Sequence, residues 1–272
     1  MTNHPAIIMV APNGARKTHR DHPAVPVSIA ETVNEAAACY AAGATILHAH
    51  VRNRDEQHVI DAGLYTELIG ELKIKVPQML VQITTEAVGF FTPEQQVDCV
   101  RQVMPELASV ALKEMTANFT RLEFARDFYH WSTESNVHIQ HIVYSADELT
   151  QFIGMRSTGI IPSSHRCVLF VLGRYAADFQ SSPRDLEPFL QQDLKELDWF
   201  TCAFGQQEQA CIFAGIKQGG HARIGFENNL YLQDGRLSSS NSELISQLSG
   251  LLLKHDQPIA NSQQTRRILG LI

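Results

Sequence analysis

The sequence predicts an α/β protein: a (β/α)8 TIM barrel, a single domain over residues 1–272, with extra C-terminal helices. Three observations carry this expectation. Eight short apolar runs lie along the chain, at residues 6–11, 45–51, 78–84, 107–112, 137–143, 166–172, 199–203 and 221–225. They are β-rich and short, as strands of a buried parallel sheet are. Longer amphipathic stretches separate them, with no low-complexity linker and no compositional break. The length of 272 residues also suits one barrel, for which roughly 250 is typical. A doubly wound nucleotide-binding sheet is the competing arrangement, and it wants GxGxxG after its first strand. Ala11-Pro12-Asn13-Gly14-Ala15 stands there instead.

The helices follow in chain order. Ser28 with Glu31 reads as a capping box opening a helix towards Ala42, which Gly43 closes. Thr92-Pro93-Glu94 starts another, with proline at the first helical position. Residues 147–156 and 183–195 fit further helices, and residues 206–218 fit one that stops at Gly219-Gly220. Beyond the eighth run, residues 242–254 and 263–269 read as the extra helices.

Composition narrows the function classes. A hydrophobic fraction of 44% is ample for a large core, and a net charge of -7 opposes nonspecific nucleic-acid binding. The five cysteines form no CxxC pair. That disfavours a disulfide framework or a cysteine zinc site and favours a reducing compartment. The first residues lack a basic stretch followed by a long apolar run, and no segment approaches the roughly 18 apolar residues of a membrane span. The expectation is a cytoplasmic protein with neither membrane nor nucleic acid as partner.

The strongest local signal is His48-Ala49-His50-Val51-Arg52 at the end of the second run. Residues two apart on a strand face the same side, so both imidazoles point together. In a barrel that end is the mouth where active sites sit. Two such nitrogens suit zinc; the ordinary alternative is a pair of hydrogen-bonded histidines. The second signal is Gly219-Gly220-His221-Ala222-Arg223-Ile224-Gly225-Phe226-Glu227-Asn228 at the eighth run. Strands two and eight both flank strand one in a closed barrel. Glu227 therefore reaches the space above His48 and His50, giving a His2Glu set with an open position. Arg223 faces the mouth either to stabilise an enolate or carboxylate, or to pair with Glu227. Thr84, Thr85 and Glu86 end the third run, where hydroxyls hold a carboxylate and Glu86 serves as general base; Lys113 and Glu114 read more plainly as turn or ion-pair residues. Arg174, after Gly173, is a weaker candidate for a phosphate. In the first loop, Asn13 borders the same mouth, and Arg16 and Lys17 face an acidic substrate or simply decorate a turn. The remaining histidines, His58 among them, show no ligand spacing and read as surface or core residues.

Taken together, these segments resemble the β-keto acid cleavage enzymes (BKACE), typified by 3-keto-5-aminohexanoate cleavage enzyme. The resemblance runs from APNGARKTHRDHPAVPVS through AGATILHAHVR, VQITTEAVG, FVLG and GGHARIGFENN to PIANSQQTRRILG. It implies a zinc-dependent enzyme, usually a homotetramer, with His48, His50 and Glu227 as metal ligands; another divalent ion would suit the same donors. The implied reaction is acyl exchange between a 3-keto acid and acetyl-CoA, giving acetoacetate and a new acyl-CoA. Arg223 matches the family arginine that assists the C–C bond chemistry. Thr84 matches a carboxylate-holding hydroxyl residue, and Ser109 a further polar pocket position.

Three departures from the typifying pattern bear on the substrate. Asn228 follows Glu227 where the family has an aspartate, and asparagine cannot take a proton, so either Glu86 or another mouth acid such as Glu114 replaces it, or the first step differs. Arg16 stands where the typifying enzyme has a glutamate for the substrate ammonium, which favours an anionic or neutral side chain over an aminated one. Glu86 replaces a glycine. Two other readings remain open at this point: a metal-dependent aldolase or hydrolase that needs no CoA, and a non-catalytic, metal-containing keto acid binder.

Overall fold

A computed structural model describes residues 4–116 and 120–272. Eight parallel strands close into a barrel: β1 (Ile8–Val10), β2 (Ile46–Ala49), β3 (Leu80–Thr84), β4 (Leu107–Ala111), β5 (His138–Val143), β6 (Cys167–Leu172), β7 (Asp198–Ala203) and β8 (His221–Ile224). Each strand pairs with its neighbours in sequence, and β8 returns to β1. Period-two alternation divides the core. Ile8, Val10, Leu47, Val81, Ile83 and Phe170 point outward under the helices, while Ile7, Met9, Ile46, Leu80, Leu169 and Phe200 fill the interior.

Local chemistry sets the helices. Ser28 and Glu31 make both halves of the expected capping box on the helix Ile29–Ala41. Thr92 and Gln95 do the same for Pro93–Val103. The extra helices span Asn241–Lys254 and Ser262–Ile268. The second seals the barrel floor. Ala260 N–H donates to the Ala6 carbonyl at 2.9 Å, the Thr45 and Thr265 hydroxyls meet at 2.8 Å, and Leu269 joins the interior cluster.

Two segments depart from expectation. Residues 183–195 do not form one helix: a 3₁₀ turn, Pro183–Leu186, hands over to a single α-turn, Glu187–Leu190. Pro188 has no N–H to continue the first turn, so it opens a new one. The second run ends at Ala49, and Val51–Arg52 instead pairs antiparallel with His58–Val59 as a small hairpin over the mouth. Among the described residues no helix is long and apolar enough to cross a membrane, and the five cysteines are free and buried.

Candidate active site

At the C-terminal ends of β2 and β8 three donors converge. His48 Nε2 and His50 Nε2 are 3.2 Å apart, and Glu227 Oε2 lies 3.5 Å from the first and 3.6 Å from the second. A tetrahedral ion with bonds of about 2.0–2.1 Å needs donor separations of about 3.3–3.4 Å. The triangle fits. Its chemistry fits too: Glu227 Oε2 is buried with no hydrogen-bond partner, facing two nitrogens that carry lone pairs. Among the described residues this is the one group of three or more such side chains arranged to hold a metal ion.

The tautomers follow from the neighbours. His48 Nδ1 lies 2.7 Å from Gln82 Oε1, which only accepts, so the proton sits on Nδ1 and Nε2 is free. Gln82 is oriented in turn, donating through Nε2 to Gln140 Oε1 at 3.2 Å, and Gln140 donates to Cys167 Sγ at 3.4 Å. On the other side, His58 Nε2–H donates to the Glu86 carbonyl at 3.0 Å. His58 Nδ1 is then an acceptor, 3.4 Å from His50 Nδ1, which leaves His50 Nε2 free for the triangle. Burial keeps both imidazoles neutral, with His48 lowered to about 4 by burial and then by Arg223. Burial alone would push the Glu227 carboxyl up, but the Arg223 guanidinium holds it well below the usual range.

Backbone freedom places Glu227. Gly225, at φ 148°, lets the chain turn against β1, where a Cβ would stand 2.4 Å from the Ala11 oxygen. Gly14, at φ 62°, lies so close that its Cβ would meet Glu227 Cγ at 2.5 Å. Arg52 Nη1 donates to the Ala15 carbonyl at 2.6 Å and its Nη2 to Gly14, clamping this loop. Lys17 turns inward and donates to the Glu227 carbonyl at 2.7 Å; burial lowers its pKa, opposed by Glu227 and Glu208. Arg223 donates to Glu227 Oε1 at 3.0 Å, and its Nη1 is 3.3 Å from His48 Nε2.

Two connected spaces open above this centre. A chamber of about 30 Å³, room for one water, touches His48, Glu227, Arg223, Thr84, Glu86 and Ser109. A vestibule of 550 Å³ lies outside it, and Glu86, Arg174, Phe204 and Glu227 border both. Thr84 Oγ1 accepts from the Glu86 N–H at 3.1 Å, which leaves its own proton to donate. Ser109 Oγ is buried without a partner. Burial and then Glu227 raise the Glu86 carboxyl to about 7, against the pull of Arg174.

The expected residues thus divide. His48, His50, Glu227, Arg223, Thr84, Glu86 and Ser109 come together. Asn13, Arg16 and Asn228 border the vestibule: Asn13 Nδ2 is committed to the Pro26 and His50 carbonyls, Arg16 is exposed on the rim, and Asn228 is 4% exposed with both polar atoms unpartnered. Thr85 lines neither space; its hydroxyl donates to the Ser109 carbonyl at 3.0 Å. Lys113 Nζ sits 3.9 Å from the centre of the Tyr175 ring and 4.1 Å from that of Tyr144, and Glu114 accepts from Gln96. Sequence reasoning passed over Gln82 and His58. Gln82 shares a strand face with Thr84, a usable signal; His58 needed recognition of the hairpin turn between Arg52 and His58.

Comparison with known proteins gives a consistent result. The sequence model of the beta-keto acid cleavage enzyme family matches residues 5–271. A 3-oxoadipate:acetyl-CoA acetyltransferase of Cupriavidus necator is 27% identical over 275 residues, covering 98% of this chain and 95% of that protein. A 3-keto-5-aminohexanoate cleavage enzyme of Fusobacterium nucleatum is 29% identical over 273 residues, with 97% of each covered. Among solved structures, the apo structure of ObcA superposes with a TM-score of 0.71 at 14% identity, over 91% of this chain and 66% of that one, a likeness of fold.

Proposed function

The chain belongs to the beta-keto acid cleavage enzyme family, and from that membership we propose that it exchanges acyl groups between a 3-keto acid and acetyl-CoA with one zinc ion held by His48, His50 and Glu227. The products are acetoacetate and the acyl-CoA of the remaining carbon chain. The relatives named as acetyltransferase and cleavage enzyme support the reaction class. The observation that carries the zinc reading is the donor triangle, with an orphaned, buried carboxylate oxygen facing two imidazole nitrogens.

When bound there, the ion supplies Lewis acidity to the oxygens of the keto acid. The protein's own groups do the rest. Thr84 and Ser109 donate hydroxyl protons to the substrate carboxylate. Arg223, buried and aimed at the same space, offsets negative charge that develops on the reacting oxygen. Asn228 cannot exchange a proton, so Glu86, with a carboxyl poised near neutrality, accepts it. The two spaces present Arg16, Lys17, Arg174 and Arg223 against Glu86 and Glu227. This cation excess supports an anionic or neutral substrate side chain over an aminated one. Family resemblance supports a homotetramer, and the free, buried cysteines support a reducing compartment such as the cytoplasm.

The test is metal content of the purified protein together with turnover of a 3-keto acid panel, with and without acetyl-CoA. About one zinc per chain and strictly acetyl-CoA-dependent turnover are expected. Turnover without acetyl-CoA would replace this reading with a metal-dependent aldolase or hydrolase. Binding without any turnover would leave a keto acid binder.

A further inference from the structure

Glu208 is wholly buried and lines neither the chamber nor the vestibule. It opens the helix Glu208–Lys217, which follows β7. Gly215 lets this helix lie tightly against β7, since a Cβ there would stand 2.6 Å from Thr201 Oγ1. From the fixed start of the helix the Glu208 side chain reaches across to the turn after β8. Its Oε1 accepts from the Gly225 N–H at 3.2 Å, and its Oε2 accepts from Asn229 Nδ2 at 3.3 Å. Gly225 and Asn229 stand two residues before and two residues after Glu227. One carboxyl group therefore grips both shoulders of the turn that carries the metal-ligating side chain.

Other contacts hold the middle of that turn at single points. The Phe226 N–H donates to Asn241 Oδ1 at 2.7 Å, the Glu227 N–H to the Ala11 carbonyl at 3.0 Å, and Lys17 to the Glu227 carbonyl at 2.7 Å. The Glu208 carboxyl instead sets how far apart residues 225 and 229 stand, and so the direction in which the Glu227 side chain leaves the backbone. Packing does not account for the residue. A wholly buried carboxyl is costly, and an apolar side chain of similar volume in such a place is often as stable or more so. Metal affinity, by contrast, depends on donors held to within about half an ångström by the residues behind them. Resting on the metal reading above, we propose that Glu208 is the positioning residue for Glu227. It holds the carboxylate arm of the His2Glu centre in reach of the ion, and it does so from the helix after β7 rather than from either ligand-bearing strand.

The test is zinc affinity by chelator competition and the visible spectrum of the cobalt-substituted protein, beside the unfolding midpoint of the metal-free protein. Glu208→Gln keeps one acceptor but turns an amide NH2 onto a donor. Zinc should then bind about 10- to 100-fold more weakly, the range for residues that support metal ligands, and the cobalt bands should shift. Adding Asn229→Asp offers that amide an acceptor again. Affinity should return to within about fivefold of wild type, the scale of the one hydrogen bond to the Tyr231 carbonyl that this exchange gives up. A merely structural role would lower the midpoint and leave zinc affinity and the cobalt bands as in the wild type; that result overturns the proposal. So does a double variant no better than Glu208→Gln. If Glu208→Gln does not fold, Asn229→Ala, which releases one arm of the grip, decides: zinc bound about tenfold more weakly sustains the proposal, and unchanged affinity ends it. A wild type that binds no zinc overturns the metal reading itself, and the role of Glu208 falls with it.

Discussion

On the β8–β1–β2 side of the mouth Arg223, His48, His50 and one oxygen of Glu227 are tied into a network, with Asn228 and the other Glu227 oxygen left open, whereas on the β4–β6 side the groups facing the cavity have little to bind. The first side holds Glu227, Arg223, His48 and His50, each with partners reaching back through Gln82, His58 and Lys17. The second holds the unpartnered Ser109 hydroxyl, the Arg174 guanidinium and a wall formed by Ala111, Ile142, Tyr144 and Val171. The difference teaches where each task sits. Metal chemistry needs donors held to within a few tenths of an ångström before substrate arrives, and a connected network holds them. Substrate choice needs groups left open for the substrate to satisfy.

Substitutions on the tied side should have the larger effects. Glu227→Gln keeps one donor oxygen but loses the charge, and zinc affinity should fall more than about 100-fold, beyond the range for supporting residues. Unchanged zinc content by elemental mass spectrometry would break the comparison at its strongest point. Arg223→Ala should retain zinc but lower kcat by about 100- to 1,000-fold, as loss of a preorganised oxyanion donor does; near wild-type kcat would remove it from the chemistry. His58→Phe fills similar space without accepting from His50, and should weaken zinc about 10- to 100-fold in a chelator competition. A wild-type affinity there would mean that His50 is oriented by something else. Ser109→Ala, on the open side, should raise KM only about fivefold, the scale of one hydrogen bond. A loss as large as that of Arg223 would erase the contrast between the two sides.

The barrel was legible because short, β-rich runs such as IMV, ILHA, LASVA and CVLFVL recur between amphipathic stretches, even though HIQHIV and HARI carry several polar residues. The metal set was legible from two geometric rules: period two puts His48 beside His50, and barrel closure brings Glu227 across from β8. The same period-two rule turns Thr85 away from Thr84. Supporting contacts were harder to read. Nothing in Asn53-Arg54-Asp55-Glu56-Gln57 announces that its turn drops His58 onto His50, because the pairing strands are two residues each. Gln82 is not a ligand type, so its position on the inward face drew no attention. Arg174 reads from the sequence as a phosphate candidate; its lack of acceptors is a tertiary fact that no local pattern carries. In residues 183–195 amphipathic periodicity outweighed Pro188, which decided the geometry.

Closure of the barrel also sets an order of events at the ribosome. Arg223 and His48, which meet at the centre, are 175 residues apart, and Glu227 leaves the exit tunnel just after Arg223. A nascent chain that has released β2 but not β8 offers two imidazoles and no carboxylate, a poor hold on any ion. The floor closes later still, when Ala260 and Thr265 reach β1 and the start of β2. An ion held by all three donors would therefore report that β8 has joined the barrel, and a chain without β8 offers this site no carboxylate.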